Sequence, residues 1–333
     1  MCGIFGAYSP NHSALPEIET QLNKGIRYLH NRGPDGNSTW IHKNGYVGFA
    51  HARLSIIELS DFGTQPKKSK NQRFCLTYNG EIYNHLEIRD TLQEEYNFNS
   101  DYWDSGSDTE TLVEALAFWG LKKTLQSIDG MFAFALWDDL KQRLFLARDR
   151  MGEKPLYYGW IGSNLYFSSD LSAFKSNPYF NNSISREALD LYTQFNYVPA
   201  PYSIFEDIYK LQPGTFIQFN QGASRIDNTS YPLEKSEYVK SEFFWSLEEQ
   251  ILGRNQGNPS EQNAESLVEA ALLKSIKSQM ISDVPLGAFL SGGIDSSLVV
   301  ALMAKVHSSP IKTFTIGFHE EHLNEAPHAK KIA

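Results

Sequence analysis

The clearest pattern in the chain is Met131-Phe132-Ala133-Phe134-Ala135-Leu136-Trp137, where small and large apolar residues alternate and predict a strand covered on both faces. Such a strand belongs inside a layered sandwich, where neither face meets water. Shorter β-prone stretches predict companion strands over residues 3–8, 46–50, 74–78, 143–147 and 165–168. Apolar residues at helical spacing predict helices over residues 16–29 and 109–119. The first helix runs into Asn31-Arg32-Gly33-Pro34-Asp35-Gly36. A loop is expected there, because proline fixes φ and glycine accepts positive φ.

The pattern changes after residue 220. Residues 221–257 are rich in Asn, Ser, Gln and Glu, broken by aromatic islands at Tyr231 and Phe243-Phe244-Trp245, and read as a linker or peripheral segment. A helix is expected over residues 264–280, and the apolar stretch 284–290 then leads into Ser291-Gly292-Gly293-Ile294-Asp295-Ser296-Ser297. A helical stretch over 298–306 and a strand over 311–318 follow. Strand, glycine loop, helix and strand in that order predict a parallel βαβ unit. A further helix is expected to begin at Asn324-Glu325-Ala326, just before Ala333. The second domain therefore reads as incomplete, since an open parallel sheet needs more strands. The expected organisation is a first domain over 1–220, a linker over 221–257 and part of a second domain over 258–333.

Composition narrows the classes. The 333 residues are 41% hydrophobic and 21% charged, with no apolar run near the ~20 residues that cross a bilayer, so no membrane span is expected. The 30 basic and 39 acidic side chains give a net charge of -9 and no basic stripe for phosphates, so no nucleic-acid partner is expected. The opening residues have no basic region ahead of an apolar core, which suggests a cytoplasmic protein. Cys2 and Cys75 are too few for a disulfide framework or a cysteine zinc site, and a reducing compartment disfavours a bond between them.

Cys2 directly follows Met1. Removal of Met1 would leave a free α-amine beside the thiol, a built-in general base that titrates near neutral pH. The resulting thiolate could attack a carboxamide carbon. Taken alone, Cys2 could equally be a small hydrophobe at the start of a strand. Cys75, inside an apolar stretch, reads as core. Asp138-Asp139 fits a solvated strand end, and His12, His30, His42 and His85 lack metal-ligand spacing.

Six motifs then occur in one order: Met1-Cys2-Gly3-Ile4-Phe5-Gly6, Arg32-Gly33-Pro34-Asp35, Arg53-Leu54-Ser55-Ile56, Tyr78-Asn79-Gly80-Glu81-Ile82-Tyr83-Asn84-His85, Asp108-Thr109-Glu110 and Ala147-Arg148-Asp149-Arg150. With the loop Ser291–Ser297, they resemble the glutamine-hydrolysing asparagine synthetases, and the resemblance spans nearly the whole chain. In that family a class II glutamine amidotransferase domain is fused to an ATP-pyrophosphatase-type synthetase domain. The resemblance implies an α+β, four-layer αββα sandwich of the N-terminal-nucleophile hydrolase type, followed by the start of an α/β parallel-sheet nucleotide-binding domain. It makes Cys2 the nucleophile, and Asn79 and Gly80 the donors to the tetrahedral oxyanion. Arg53 would take the α-carboxylate of glutamine, with Glu81 and Asp108 on its α-ammonium. Read without the family, Asn79-Gly80 is also a hairpin signal, and Arg53 and Asp108 would pass for surface ion-pairing residues.

The glycine loop is not a Walker loop, since Gly-Lys-Ser/Thr is missing, so transfer of a terminal phosphoryl group is not implied. A Gly-Gly turn after a strand can present backbone N–H groups to pyrophosphate at a helix start. By resemblance, ATP would be a co-substrate cleaved between its α and β phosphates, held by Leu290, Ser291, Gly292, Gly293, Asp295 and Ser296. Ile316 would lie at the adenine, although a plain buried strand explains it as well, and Asp295 would help hold Mg²⁺. Ile294 replaces the leucine of many family members. The implied reaction releases ammonia from glutamine and passes it to an adenylated carboxylate, with aspartate as the inherited acceptor. The family's second glycine-rich acidic loop and its acceptor-binding residues do not occur before Ala333. A sugar or surface-polysaccharide acceptor, a glutaminase without synthetase activity, and a non-catalytic scaffold therefore remain as alternatives. The oligomeric state is open, a homodimer being one option.

Overall fold

The computed structural model describes residues 1–224, 236–253 and 261–333. Two compact units divide the chain, the first running from Met1 to Gly253. Its early elements are β1 (Gly3–Tyr8), α1 (Ile18–Leu29), β2 (Gly36–Ile41), β3 (Val47–Arg53), β4 (Lys67–Lys68), β5 (Phe74–Ile82), α2 (His85–Tyr96) and α3 (Asp108–Ser127). There follow β6 (Gly130–Asp138), β7 (Arg143–Arg148), β8 (Tyr157–Ile161), β9 (Asn164–Ser168), α4 (Arg186–Phe195), β10 (Ile208–Lys210), β11 (Thr215–Phe219), β12 (Val239–Phe243) and α5 (Leu247–Leu252).

The strands form two six-stranded sheets, in the orders β10-β8-β9-β1-β3-β2 and β12-β11-β7-β6-β5-β4. Every pairing in them is antiparallel. The alternation in β6 has the expected consequence. Ala133, Ala135 and Trp137 enter the core with Ile4, Tyr8, Phe49 and Phe167, between the two sheets. Phe132, Phe134 and Leu136 enter a second core with Ile88, Leu92, Leu112 and Leu116 of α2 and α3. A third core joins Leu22, Ile26 and Leu29 of α1 to Phe5, Ala7 and Ala50 on the outer face of the first sheet. Helix, sheet, sheet, helix is thus the layering, because strands that are apolar on both faces need cover on both.

The sequence expectations differ from the structure in several places. The helix expected to end at Trp119 continues to Ser127, but its dihedrals break at Gly120, where φ is 77°. The boundary expected at residue 220 moves to Gly253, because β12 extends the second sheet beside β11 and Phe244 packs on its helix-side core. Part of the stretch read as linker is therefore sandwich; Tyr231 lies outside the described residues. Asn79-Gly80 is no hairpin turn but the middle of β5, paired with Ala133 and Phe132 of β6.

The second unit contains α6 (Glu261–Ser278), β13 (Gly287–Phe289), α7 (Ile294–Val306), β14 (Lys312–Phe314) and α8 (Ala326–Ile332). β13 and β14 pair in parallel, as expected of a βαβ unit. The strand expected over 311–318 is confined to Lys312–Phe314, and two strands cannot bury their faces: Phe289 and Phe314 stay exposed. No helix among the described residues is long and apolar enough to cross a membrane.

Trp137 is fully buried and meets Tyr8 at a tilt and Tyr46 edge-on, with ring centroids 5.5 and 5.8 Å away, joining the two sheets. Trp137→Ala should lower unfolding stability by about 3–5 kcal/mol, read as a fall in the denaturant midpoint. An unchanged midpoint would show that this contact does not hold the layers together.

Candidate active site

Cys2 immediately precedes β1, whose Gly3 pairs with Ala52 of β3, so the chain start lies beside the end of β3. The Cys2 Sγ accepts a hydrogen bond from the Leu54 N–H at 3.3 Å and lies 3.6 Å from the Leu54 carbonyl oxygen. The loop after α1 secures this arrangement. Arg32 Nε donates to the Cys2 carbonyl at 3.1 Å, Asp35 N donates to the Arg53 carbonyl at 2.9 Å, and Asp35 Oδ2 accepts from Ser55 N at 2.8 Å. Gly33 is required there, since a Cβ would run into the Ala52 carbonyl. The Arg32-Gly33-Pro34-Asp35 motif thus acts as a clasp across the N-terminus and β3.

One cavity is lined by Cys2, Arg53, Asn79, Gly80, Glu81 and Asp108. All six residues expected to serve glutamine are therefore brought together. The Asn79 side chain is buried, and neither Nδ2 nor Oδ1 has a hydrogen-bond partner. An unpaired buried amide costs about 1–3 kcal/mol, so a group facing a cavity in this state is poised for a ligand. Gly80 cannot be replaced without displacing β6, because its Cβ would overlap the Met131 carbonyl.

Among the described residues Arg53 forms no ion pair. Its Nη1 donates to the Ser60 carbonyl at 2.8 Å and its Nη2 to the Glu58 carbonyl, fixing the guanidinium against the loop that follows β3. Asp108 is buried at the start of α3, where its Oδ2 accepts from Tyr78 Oη at 2.8 Å and from Ile82 N at 2.9 Å. Asp108 is thus a buried residue and not a surface one, while Arg53 is half-buried.

Burial controls the charges. It raises the Cys2 thiol above its usual range, while the Leu54 N–H, the N-terminal charge and Arg53 pull the other way. The N-terminal amine, carried here by Met1, is pushed down by burial and by Lys154 and Arg32. Burial and then Asp108 push the Glu81 carboxyl up, opposed by Lys154 and the N-terminus. Burial raises the Asp108 carboxyl too, against the hydrogen bonds from Ile82 and Tyr78. His51 is pushed down to about 3 by burial and is therefore neutral.

Gln65, His51 and Lys154 are among the residues of this cavity that sequence reasoning missed. Gln65 is buried; its Oε1 accepts from Tyr78 N at 2.7 Å and its Nε2 donates to Thr109 Oγ1 at 3.3 Å, so it spaces β5 from α3. His51 has Nε2 at 3.2 Å from the Tyr78 carbonyl. Lys154, 5% exposed, also lines the cavity. Nothing in the polar pattern marks Lys154, since a lysine between Glu153 and Pro155 reads as a solvated turn charge.

In the second unit, Gly292 adopts φ 89°, and a Cβ on it would lie 2.8 Å from His328 Cβ and 2.9 Å from Ala329 N. Ser291 Oγ and Ser296 Oγ are 2.9 Å apart, and Ser297 Oγ donates to the Gly293 carbonyl at 2.6 Å. Leu290 is buried, with its N–H on Phe314 O at 2.9 Å. Gly293 caps α7 without a side-chain hydrogen bond, so the first N–H groups of α7 stay available to an anion beside Asp295. Ile316 lies beyond β14 and is 69% exposed, so it is not a buried strand residue. Among the described residues no group of three or more His, Cys, Asp or Glu side chains could hold a metal ion.

Comparison with known proteins follows this geometry. The model of the glutamine amidotransferase domain family matches residues 1–232, and that of the asparagine synthase family matches 267–333. The chain is 34% identical to asparagine synthetase [glutamine-hydrolyzing] 1 of Bacillus subtilis, covering 100% of this chain and 48% of that protein. It is 32% identical to the putative asparagine synthetase [glutamine-hydrolyzing] 2 of Methanocaldococcus jannaschii, covering 100% and 62%. The chain thus spans between about half and three-fifths of those relatives. A glutamine phosphoribosylpyrophosphate amidotransferase from B. subtilis, solved with ADP and GMP, shares the fold at a TM-score of 0.50 and 18% identity, over 96% of this chain and 67% of that one. The sandwich, the clasped N-terminus and the matches together place this chain in the glutamine amidotransferase domain family, joined here to an asparagine synthase segment.

Proposed function

We propose that the first unit hydrolyses glutamine through a γ-glutamyl thioester on Cys2, once Met1 is removed. The observation that carries the reading is the Asn79 amide, buried, unpartnered and lining the same cavity as the thiol. The α-amine left on Cys2 takes the thiol proton, an amine of this kind titrating near neutral pH. Sulfur attacks the γ-carboxamide carbon. The oxyanion is received by Asn79 Nδ2–H and the Gly80 N–H, and its collapse expels ammonia with the proton held by the α-ammonium. Water then cleaves the thioester, releasing glutamate and restoring the thiol. Arg53 holds the α-carboxylate, while Glu81 and Asp108 face the α-ammonium.

Ammonia is then consumed by a carboxylate that ATP activates as an adenylate, with aspartate the acceptor by the names of the relatives. The positive-φ turn at Gly292 and the open start of α7 suit a pyrophosphate held against backbone N–H groups. Asp295 is the single loop carboxylate, so Mg²⁺ would depend chiefly on phosphate oxygens and water. A cytoplasmic site, where glutamine and ATP are abundant and thiols stay reduced, fits both free cysteines.

Glutamate release from glutamine tests the reading. Cys2→Ala should abolish it, and retained turnover would remove the thioester route. Asn79→Ala should lower kcat by roughly 10²–10³-fold with a smaller change in KM, as expected for a donor used in the transition state. Arg53→Ala should raise KM for glutamine by roughly 30-fold, about 2 kcal/mol for a lost charged hydrogen-bond pair, and an unchanged KM would reassign Arg53.

A further inference from the structure

Lys154 is buried in the wall of the glutamine cavity, and among the described residues no carboxylate lies within ion-pairing distance of its ammonium. A buried ammonium is costly, so the fold must hold it there by other means. The turn that carries it is anchored at Asp149, also fully buried. Asp149 Oδ1 accepts from Met151 N at 3.1 Å and Glu153 N at 2.9 Å; Oδ2 accepts from Lys154 N at 3.0 Å and Phe132 N at 3.2 Å. Arg148 closes the turn from the other side, donating to the carbonyls of Lys154 at 2.7 Å, Leu211 at 2.6 Å and Gly152 at 2.5 Å. Backbone and side-chain bonds of this number fix where Lys154 enters the cavity.

The same cavity is lined by Glu81, near the end of β5, and Asp108, at the start of α3. Two carboxylates in one desolvated space cannot both stay ionised without a countercharge. We propose that Lys154 is a positioning residue of the glutamine site: its buried ammonium is the countercharge that keeps Glu81 ionised, ready for the α-ammonium of the substrate. The proposal rests on the reading of Glu81 as an ammonium-binding group. Charge arithmetic supports it. In the empty site Arg53 and Lys154 balance Glu81 and Asp108, and glutamine then adds one carboxylate and one ammonium; without Lys154 one of the two carboxylates is left without a countercharge.

The groups facing Glu81 are Asp108 from α3, Lys154 from the turn after β7, the N-terminal amine ahead of β1, and the phenols of Tyr78 and Tyr83 on and after β5. Arg32, Glu153 and Asp149 act on Lys154 in turn. Burial and Asp108 drive Glu81 toward its neutral form, and Lys154 opposes them. Removing the lysine charge should therefore let Glu81 protonate at higher pH and weaken glutamine binding on the acid side first.

The test is KM and kcat for glutamate release across about pH 6 to 8.5, for the full chain with Met1 shown to be absent by intact mass, comparing wild type with Lys154→Met and Lys154→Arg. Lys154→Met should raise KM roughly tenfold near pH 6 and converge on the wild-type value near pH 8.5, with kcat changed much less. Lys154→Arg should keep the wild-type profile. Lys154→Gln supplies a second neutral variant should the methionine disturb folding. A KM ratio that is flat with pH, a loss confined to kcat, or an arginine variant that behaves like methionine overturns the proposal alone. A processed wild-type chain that releases no glutamate overturns the functional reading, and the proposal falls with it.

Discussion

The pairing of β1 with β3 is the constraint on which the site depends. With Gly3 opposite Ala52, the residue before β1 must lie against the residues after β3, and the Cys2 thiol meets the Leu54 N–H. A strand register is hard to slip when both faces are packed, because a one-residue shift would exchange Ile4 and Tyr8 of the inter-sheet core with Phe5 and Ala7 of the helix-side core. Sheet packing thereby places an otherwise mobile chain terminus. The clasp formed by Arg32 and Asp35 ties the same two segments from the side. An N-terminal nucleophile needs such fastening, since chain ends fray unless they are held.

The second sheet makes the opposite wall. Asn79, Gly80 and Glu81 are consecutive in β5, so their side chains alternate in direction, while the backbone of Gly80 closes on Met131 too tightly for a Cβ. Asp108 reaches this wall from α3 and bonds Tyr78 and Ile82, which fixes the helix start to the strand that carries Asn79. Desolvation links these groups electrostatically: it raises the thiol and both carboxyls and lowers the terminal amine and Lys154. The cavity thus holds one coupled set of charges, in which a change at any member is felt by the rest.

Much of this was legible in the chain. The alternation in β6 announced a doubly covered strand, and the cores on its two faces are the ones that alternation requires. Cys2, Arg53, Asn79, Gly80, Glu81 and Asp108 were found through motif order and share one cavity. The strand β12 was not legible, because Val239–Phe243 carries Lys240 and Glu242 at a sheet edge and its polar composition resembles a linker. Lys154 and Gln65 escaped for a different reason. Their burial comes from the turn and loop geometry around Asp149 and Tyr78, which leaves no periodic trace in a sequence.

The central claim is a covalent bond to one sulfur. Acid quenching of the chain during glutamine turnover, followed by intact and peptide mass measurement, tests it most directly. The account requires a glutamyl adduct on the peptide that begins at Cys2, with Met1 absent. Glutamate release with Met1 still in place, or turnover with no adduct on that peptide and Cys2 dispensable, would contradict it.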